Sequence, residues 1–307
     1  MSLADRTPPS VGEYRAYKDR FRNWGRWGDD DQLGTLNFIT GETRRSAAAL
    51  VRDGRSISLA NPLATARVLP GARNPLPADH RMNVGATGCG DYIGVSYHGF
   101  VNTHIDALCH IYAEDGTLYN GRPSSGVTEE GARTNSIEHW RDGIVTRGVL
   151  YDVPRHRGTD HVTFEEPVHG WELEDIAAAE NVEPWPGDAV LVRAGSRAFW
   201  AAHAGFEPAW KAPGLHASVL EFLHVHDAAL LGWDLMEAPG QDAYEARALP
   251  IHSVAIPYMG LPLLDNADFD ALAAVCAELG RWEFQLVIAP LVVLGGTGSP
   301  ANPIAVL

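Results

Sequence analysis

Short apolar segments alternate with helix-like segments through the second half of the chain, and this alternation limits the fold more than any other feature. The segments typical of buried strands are "GIVTRGVLYDV", "DAVLVRAG", "AALLGWD" and "EFQLVIAPLVVL". The helix-like segments between them are "LEDIAAAENV", "ASVLEFLHVH" and "DFDALAAVCAELG". The first apolar segment fits either one long strand or a pair of strands. Because strands that alternate with helices pack as a sheet covered by helices, the sequence predicts an α/β fold.

The first half of the chain is less regular. Residues 23–38, "NWGRWGDDDQLGTLNF", show neither helical nor strand periodicity and predict an irregular arm. "GETRRSAAALVRDG" predicts a helix that ends at Gly54, and "SISLA" predicts a strand after it. Residues 62–91 are rich in proline and glycine and predict a loop, before a strand signal in "YIGVSYHGF". With no linker visible, we predict an N-terminal arm over residues 1–40 and a single domain over residues 41–307.

The charge of the chain argues against two classes of partner. Acidic residues outnumber basic ones by 39 to 24, for a formal net charge of -15, so the surface repels nucleic-acid phosphates and anionic lipid. The sequence has neither an apolar run of the roughly 20 residues that a membrane helix needs nor the apolar core of a signal peptide at its start. We therefore expect a cytoplasmic protein that binds neither nucleic acid nor membranes. The three cysteines lack CxxC spacing, which argues against a disulfide framework and a cysteine zinc site.

The segment "NTHIDALCH" crowds two imidazoles and a carboxylate into residues 102–110. On an extended strand, His104 and Asp106 share one face with their Cα atoms about 7 Å apart. Such a pair can hold a metal ion, although a short His-x-Asp match also arises by chance in turns and caps.

A second group of polar residues lies nearer the C-terminus. His252 and Asp265 stand in apolar surroundings, and "GWDLMEA" adds Asp234 and Glu237. Buried ionisable groups need partners, which leaves ion pairing and metal binding as the two interpretations. The "LHVHD" pair, His224 and His226, is more typical of a surface. "GGTGSP" is too close to the C-terminus to open a dinucleotide-binding helix and predicts a tight turn.

"THIDALCH" resembles the signature His-x-Gly-Thr-His-x-Asp-x-Pro-x-His of the cyclase-like metal-dependent hydrolases, the family of bacterial kynurenine formamidase and isatin hydrolase. Thr103, His104, Asp106 and His110 match it in type and spacing. Segments such as "WGDDDQLGTLN", "RGVLYDV", "LLGWD" and "IHSVAIPYMGLPLLDNAD" resemble the longer members of the family, of about 300 residues. The likeness extends from Trp24 to the C-terminus.

The resemblance implies a swivelling β/β/α fold, a homodimer or homotetramer, and zinc or manganese that activates water against an amide or lactone. It implies that His104 and Asp106 bind metal, that the aspartate can bridge two ions, and that His110 acts as acid and base. It also implies that His252 and Asp265 complete the metal ligands.

The chain departs from the signature at three positions. Phe100, Asn102 and Leu108 replace its first histidine, its glycine and its proline. We expect His98 to replace the missing histidine if the backbone bends between Gly99 and Asn102, because on a straight strand His98 and His104 would be about 20 Å apart.

Three aromatic side chains are candidates for binding a substrate. Trp24 and Trp27 of the arm can cover a flat small molecule across a subunit boundary or simply anchor the arm, and Phe100 occupies the place of a ligand in the signature. The prediction is a metal-dependent hydrolase of a small amide, lactone or cyclic imide. A lyase or cyclase that acts through an enolate, and a binding protein without catalysis, remain as alternatives.

Overall fold

A nine-stranded mixed sheet forms the centre of the protein in the computed structural model, which describes residues 2–65, 78–204, 211–245 and 249–307. Within these ranges the strands are β1 Ser56–Ser58, β2 Asp79–Val84, β3 Cys89–Gly94, β4 His104–Asp106, β5 Thr117–Leu118, β6 Arg122–Pro123, β7 Val127–Thr128, β8 Gly131–Ala132, β9 Ile144–Asp152, β10 Ala189–Arg193, β11 Leu230–Trp233, β12 Leu263–Asp265, β13 Glu283–Ile288, β14 Gly298–Pro300 and β15 Ile304–Val306. The order across the main sheet is β1-β15-β13-β9-β10-β11-β12-β4-β14. Strands β9 to β12 run parallel, and the other pairings in the sheet are antiparallel.

The burial of each strand follows its apolar pattern. Strands β10 and β11 are buried on both faces almost throughout, as expected for parallel strands that are covered by helices. Strand β13 alternates between buried and half-buried positions, because one of its faces is less completely covered. The prediction of an α/β fold is confirmed, and "GIVTRGVLYDV" forms the single long strand β9.

Helices connect the parallel strands of the sheet. In the described ranges the helices are α1 Ser2–Asp5, α2 Val11–Arg20, α3 Gly41–Ala48, α4 Val153–Arg157, α5 Gly170–Ala179, α6 Ser196–Ala202, α7 Val219–Val225, α8 His252–Val254 and α9 Asp270–Leu279. Helices α4 and α5 lie between β9 and β10 in the chain, α6 and α7 between β10 and β11, and α8 between β11 and β12. Helix α8 continues directly into a π-helix, Ala255–Met259. None of these helices combines the length and apolarity needed to cross a membrane.

The first 40 residues pack against the rest of the chain. Helix α2 begins with a capping box in which Ser10 and Glu13 satisfy each other's backbone N–H groups. The helix buries Tyr14 and Tyr17 in the hydrophobic core, and the Tyr14 hydroxyl donates to the Pro250 carbonyl over 2.8 Å. Residues 23–38 are irregular, as predicted, apart from a 3₁₀ helix at Gly34–Phe38.

The loop predicted over residues 62–91 is wrong in part. Strands β2 and β3 pair as an antiparallel hairpin, while residues 66–77 lie outside the described ranges. Nearly every residue of the two strands is exposed, so the sequence carries no alternation of polar and apolar side chains that would indicate a strand. The predicted strand in "YIGVSYHGF" ends early, because β3 stops at Gly94.

Candidate metal centre

Strand β4 places His104 and Asp106 on one face in the interior of the sheet. The strand lies between β12 and β14, and both side chains are almost completely buried. His104 Nε2 lies 3.4 Å from Asp106 Oδ1, which confirms that the two side chains point the same way. The register of β4 with β12 pairs His104 with Asp265 and leaves 3.8 Å between His104 Nε2 and Asp265 Oδ2.

A bend in the backbone brings His98 to the same place. Gly99 has φ of +136°, a conformation that side-chain-bearing residues rarely adopt, and the chain turns there before it enters β4. His98 Nδ1 lies 3.0 Å from Asp106 Oδ1, and the centres of the His98 and His104 rings are 5.2 Å apart. The bend therefore brings His98 beside Asp106 and His104, and its role as a ligand stays a prediction, while Phe100 is half-buried and carries no metal-binding atom.

His252 and Asp265 complete the group. His252, at the start of α8, points Nε2 to within 3.7 Å of Asp106 Oδ2 and 3.5 Å of Asp265 Oδ2. The fourth imidazole is His110, whose Nε2 lies 3.8 Å from Asp106 Oδ2. We call this group of six residues the His–Asp cluster: His98, His104, Asp106, His110, His252 and Asp265.

Most residues of the His–Asp cluster turn one polar atom towards the centre and bind the protein with another. These outward contacts are His98 Nε2 with Thr297 Oγ1 at 3.0 Å, His104 Nδ1 with the Asn102 carbonyl at 2.8 Å, His252 Nδ1 with Glu237 Oε1 at 2.9 Å, and Asp265 Oδ1 with Trp233 Nε1 at 2.6 Å. Carbonyl and carboxylate oxygens only accept hydrogen bonds, so Nδ1 of His104 and of His252 carries the proton. Once Nε2 loses its own proton, as metal binding requires, its lone pair faces the centre, as in metal-binding histidines.

Asp106 supplies the strongest sign that the cluster is built for a cation. Both of its carboxylate oxygens are buried, and neither accepts a hydrogen bond of good geometry from the described ranges, although His98 Nδ1 comes within 3.0 Å of Oδ1. Burial alone would raise the pKa of Asp106, but the surrounding imidazoles, with His110 the largest contributor, hold its pKa well below the usual value. A buried ionised carboxylate without well-aligned hydrogen-bond donors, ringed by imidazole nitrogens, is a donor set that suits zinc or manganese.

The two histidines at the open side of the cluster face each other. The His98 and His110 rings are stacked within 1° of parallel with their centres 3.8 Å apart, and about a quarter of each side chain is exposed. Burial lowers the pKa of His110 to about 4, with Asp106 acting in the opposite direction, so the ring is neutral at pH 7. His110 makes no side-chain hydrogen bond to the described residues beyond its approach to Asp106. It is thus the cluster histidine that the protein holds least firmly.

The aromatic residues predicted to bind a substrate have other partners in the structure. The Trp24 indole donates to the Pro257 carbonyl over 2.7 Å and stacks on Tyr258, whereas Trp27 packs edge-to-face against Phe38. These contacts attach the arm to the body of the protein. Substrate binding by Trp24, Trp27 and Phe100 stays a prediction.

Two residues beside the cluster were missed as site residues. Thr297 belongs to "GGTGSP", where the predicted turn is followed by strand β14, and Gly298 is needed because a Cβ there would come within 2.5 Å of the Ile105 carbonyl oxygen. Glu237 was noted as a candidate buried acid, but nothing local in the sequence connects it with His252. The pair His224 and His226 is apart from the cluster: His224 stacks on Phe21, and His226 contacts Glu174.

Comparison with known proteins identifies the family and the fold of the chain. The sequence profile of a family described as "Putative cyclase" matches residues 56–238. A crystal structure of a novel cyclase is 29% identical and superposes with a TM-score of 0.82 over 94% of this chain and 99% of the other.

Two isatin hydrolases share the fold at lower identity. One, bound to the product analogue thioisatinate, is 18% identical with a TM-score of 0.58 over 87% of this chain and 99% of its own. Isatin hydrolase A from Labrenzia aggregata, bound to benzyl benzoate, is 17% identical with a TM-score of 0.57 over 88% of this chain and 98% of its own. No curated protein sequence gives a significant match. The profile match covers more than half of the chain, and the chain belongs to the cyclase family.

Proposed function

We propose that the protein is a metal-dependent hydrolase that opens an amide, lactone or cyclic imide bond in a small, cyclic or aromatic substrate. The observation that carries the proposal is the Asp106 carboxylate, buried without a well-aligned hydrogen-bond donor from the described residues and approached by imidazole nitrogens at 3.0 to 3.8 Å. His98, His104, Asp106, His252 and Asp265 would hold a divalent ion, zinc or manganese. When bound, such an ion supplies Lewis-acid activation of water and of a carbonyl group.

The residues of the chain divide the remaining work between them. Asn102, Glu237 and Trp233 keep His104, His252 and Asp265 oriented through the hydrogen bonds described above. His110 is neutral and partly exposed, so it can accept a proton from an attacking water and pass it to the leaving group. An isatin hydrolase shares the fold, and its name makes a cyclic amide a reasonable first compound to test.

Metal analysis and isotope labelling test the proposal. Protein prepared without a chelator should contain zinc or manganese by elemental analysis. A panel of amides, lactones and cyclic imides should then reveal turnover, and hydrolysis in heavy-oxygen water should place the label in the product. Turnover without label would favour a lyase or cyclase that acts through an enolate. Bound metal with no turnover of any compound would favour a binding protein.

We also propose that the protein forms a homodimer or homotetramer. Support comes from the hairpin of β2 and β3, on which Met82, Val84, Tyr92 and Ile93 are all at least 45% exposed. A two-stranded hairpin with two exposed faces is marginally stable in water, so a covering surface would stabilise it. Light scattering of the purified protein should give a multiple of the 33.3 kDa chain mass, and Val84→Asp should lower it. A monomer at micromolar concentration would contradict this proposal.

A further inference from the structure

Glu237 is fixed in the protein by its backbone and is buried beside the His–Asp cluster. Its segment follows β11 and pairs with Leu215, which donates to the Met236 carbonyl and accepts from the Ala238 N–H, each over 2.8 Å. Gly214 permits this approach, because a Cβ on it would lie 1.9 Å from the Met236 carbonyl oxygen. The Glu237 side chain is only 2% exposed. Its carboxylate therefore has little freedom to turn elsewhere.

One oxygen of this carboxylate holds both the backbone and the ring of His252. Glu237 Oε1 accepts from the N–H of Ile251 over 2.9 Å and from the N–H of His252 over 2.8 Å. It also accepts from His252 Nδ1 over 2.9 Å. The same atom thus fixes where α8 begins and which way the imidazole of His252 points.

We propose that Glu237 is a positioning residue of the metal centre, which holds the His252 ring with Nε2 towards Asp106 and Asp265 and strengthens it as a ligand. This inference rests on the proposed function, since it concerns the metal that the cluster would hold. The other oxygen, Oε2, is buried and has no hydrogen-bond partner in the described ranges, so the hydrogen bonds of this anion fall on Oε1. A carboxylate on Nδ1 makes Nε2 a better electron donor to a metal.

His252 differs in this respect from the other two imidazoles with outward hydrogen bonds. His104 is held by a neutral carbonyl, and His98 by the hydroxyl of Thr297. Only His252, among the described cluster histidines, has a carboxylate on the nitrogen that faces away from the centre. Loss of the negative charge at position 237 should therefore weaken metal binding while the ligand atoms all remain.

The test compares Glu237→Gln with the wild-type chain. Glutamine keeps the shape of the side chain and one oxygen that can accept the same hydrogen bonds, but it carries no charge. We expect the dissociation constant for zinc or manganese, measured by competition with a chromophoric chelator, to rise about 10- to 100-fold. The visible spectrum of the cobalt-substituted protein should shift as well, because it reports the environment of the metal.

Asp234→Asn is the matched control. Asp234 is a buried carboxylate three residues earlier, and it accepts from the backbone N–H groups of Ala194, Gly195 and Ser196 over 2.6, 3.0 and 2.9 Å. These hydrogen bonds stabilise the start of α6 and involve no residue of the His–Asp cluster. The control should lose stability towards urea and keep the metal affinity of the wild-type chain.

A double-mutant cycle separates positioning from a general structural role. If Glu237 acts through His252, adding Glu237→Gln to His252→Ala should weaken metal binding no further. A folded Glu237→Gln protein with wild-type affinity would overturn the inference and leave the proposed function standing, whereas a wild-type chain that binds no metal would remove both. If Glu237→Gln does not fold, Glu237→Asp takes its place, because it keeps the charge but withdraws the carboxylate from His252 Nδ1 by one methylene. Metal binding should again weaken, and a folded Glu237→Asp protein with wild-type affinity would overturn the inference.

Discussion

Acid should destabilise the fold through His216, a buried imidazole outside the His–Asp cluster. Its Nδ1 accepts from the Ser218 N–H over 3.1 Å, its ring centre is 4.6 Å from that of His169, and only 8% of the residue is exposed. Burial, with a smaller contribution from His169, lowers the pKa of His216 from 6.5 to about 3. At a pH between these two pKa values, the unfolded chain binds a proton on His216 and the folded protein does not. The free energy of unfolding must therefore fall as the pH drops below 6.5.

The size of the effect follows from the pKa difference. A pH of 5 is about 1.5 units below the pKa of the imidazole in the unfolded chain, and each unit contributes about 1.4 kcal/mol. The burial of His216 should therefore lower the free energy of unfolding at pH 5 by about 2 kcal/mol relative to pH 7. Urea unfolding in the presence of a chelator, at pH 7 and pH 5, measures this for the wild-type chain and for His216→Gln. The wild-type chain should lose about 2 kcal/mol more than the variant. Equal losses in the two proteins would refute the reasoning.

Three further predictions concern the cluster and the core. His104→Ala and Asp106→Asn should each remove bound metal and activity together, as checked by elemental analysis, because the first deletes an inward-facing nitrogen and the second removes the negative charge of the central carboxylate. His110→Ala should keep most of the metal and lose about 10²- to 10⁴-fold in kcat, and a variant that loses its metal would make His110 a ligand instead. Arg147→Met should lower the free energy of unfolding by roughly 3–5 kcal/mol in urea, because it leaves the buried Asp188 without its ion-pair partner at 2.7 Å. An Arg147→Met protein with the wild-type free energy of unfolding would show that the ion pair does not stabilise the fold.

The parts of the structure that the sequence predicted are those that a short segment decides by itself. Strands β9, β10 and β11 are apolar over their whole length, and His104 and Asp106 share a face because side chains two residues apart always do on a strand. The position of His98 could also be anticipated, because Gly99 offers the backbone a conformation that permits the bend. Each of these inferences needed only a few neighbouring residues.

The parts that escaped prediction depend on contacts between distant segments. Glu237 becomes important only when the start of α8 folds onto it, and Thr297 meets His98 across 199 residues of sequence. The hairpin of β2 and β3 was missed for a different reason: neither of its faces is buried within one chain, so its side chains show no alternation. A periodic pattern reflects burial of one face within the chain, and it gives no signal for a hairpin whose two faces are both exposed.

The way the cluster is assembled has a consequence for how the protein reaches its folded state. Its donors come from residues 98–110, from His252 and from Asp265, and the pairing of β4 with β12 brings the first and last of these together. Contacts between such distant segments form late, since the entropy of closing long loops must be overcome first. A metal that binds only the finished arrangement would have little influence on the folding rate. It should instead slow unfolding, so a loaded protein would outlast a chelated one in a protease while both refold at the same speed.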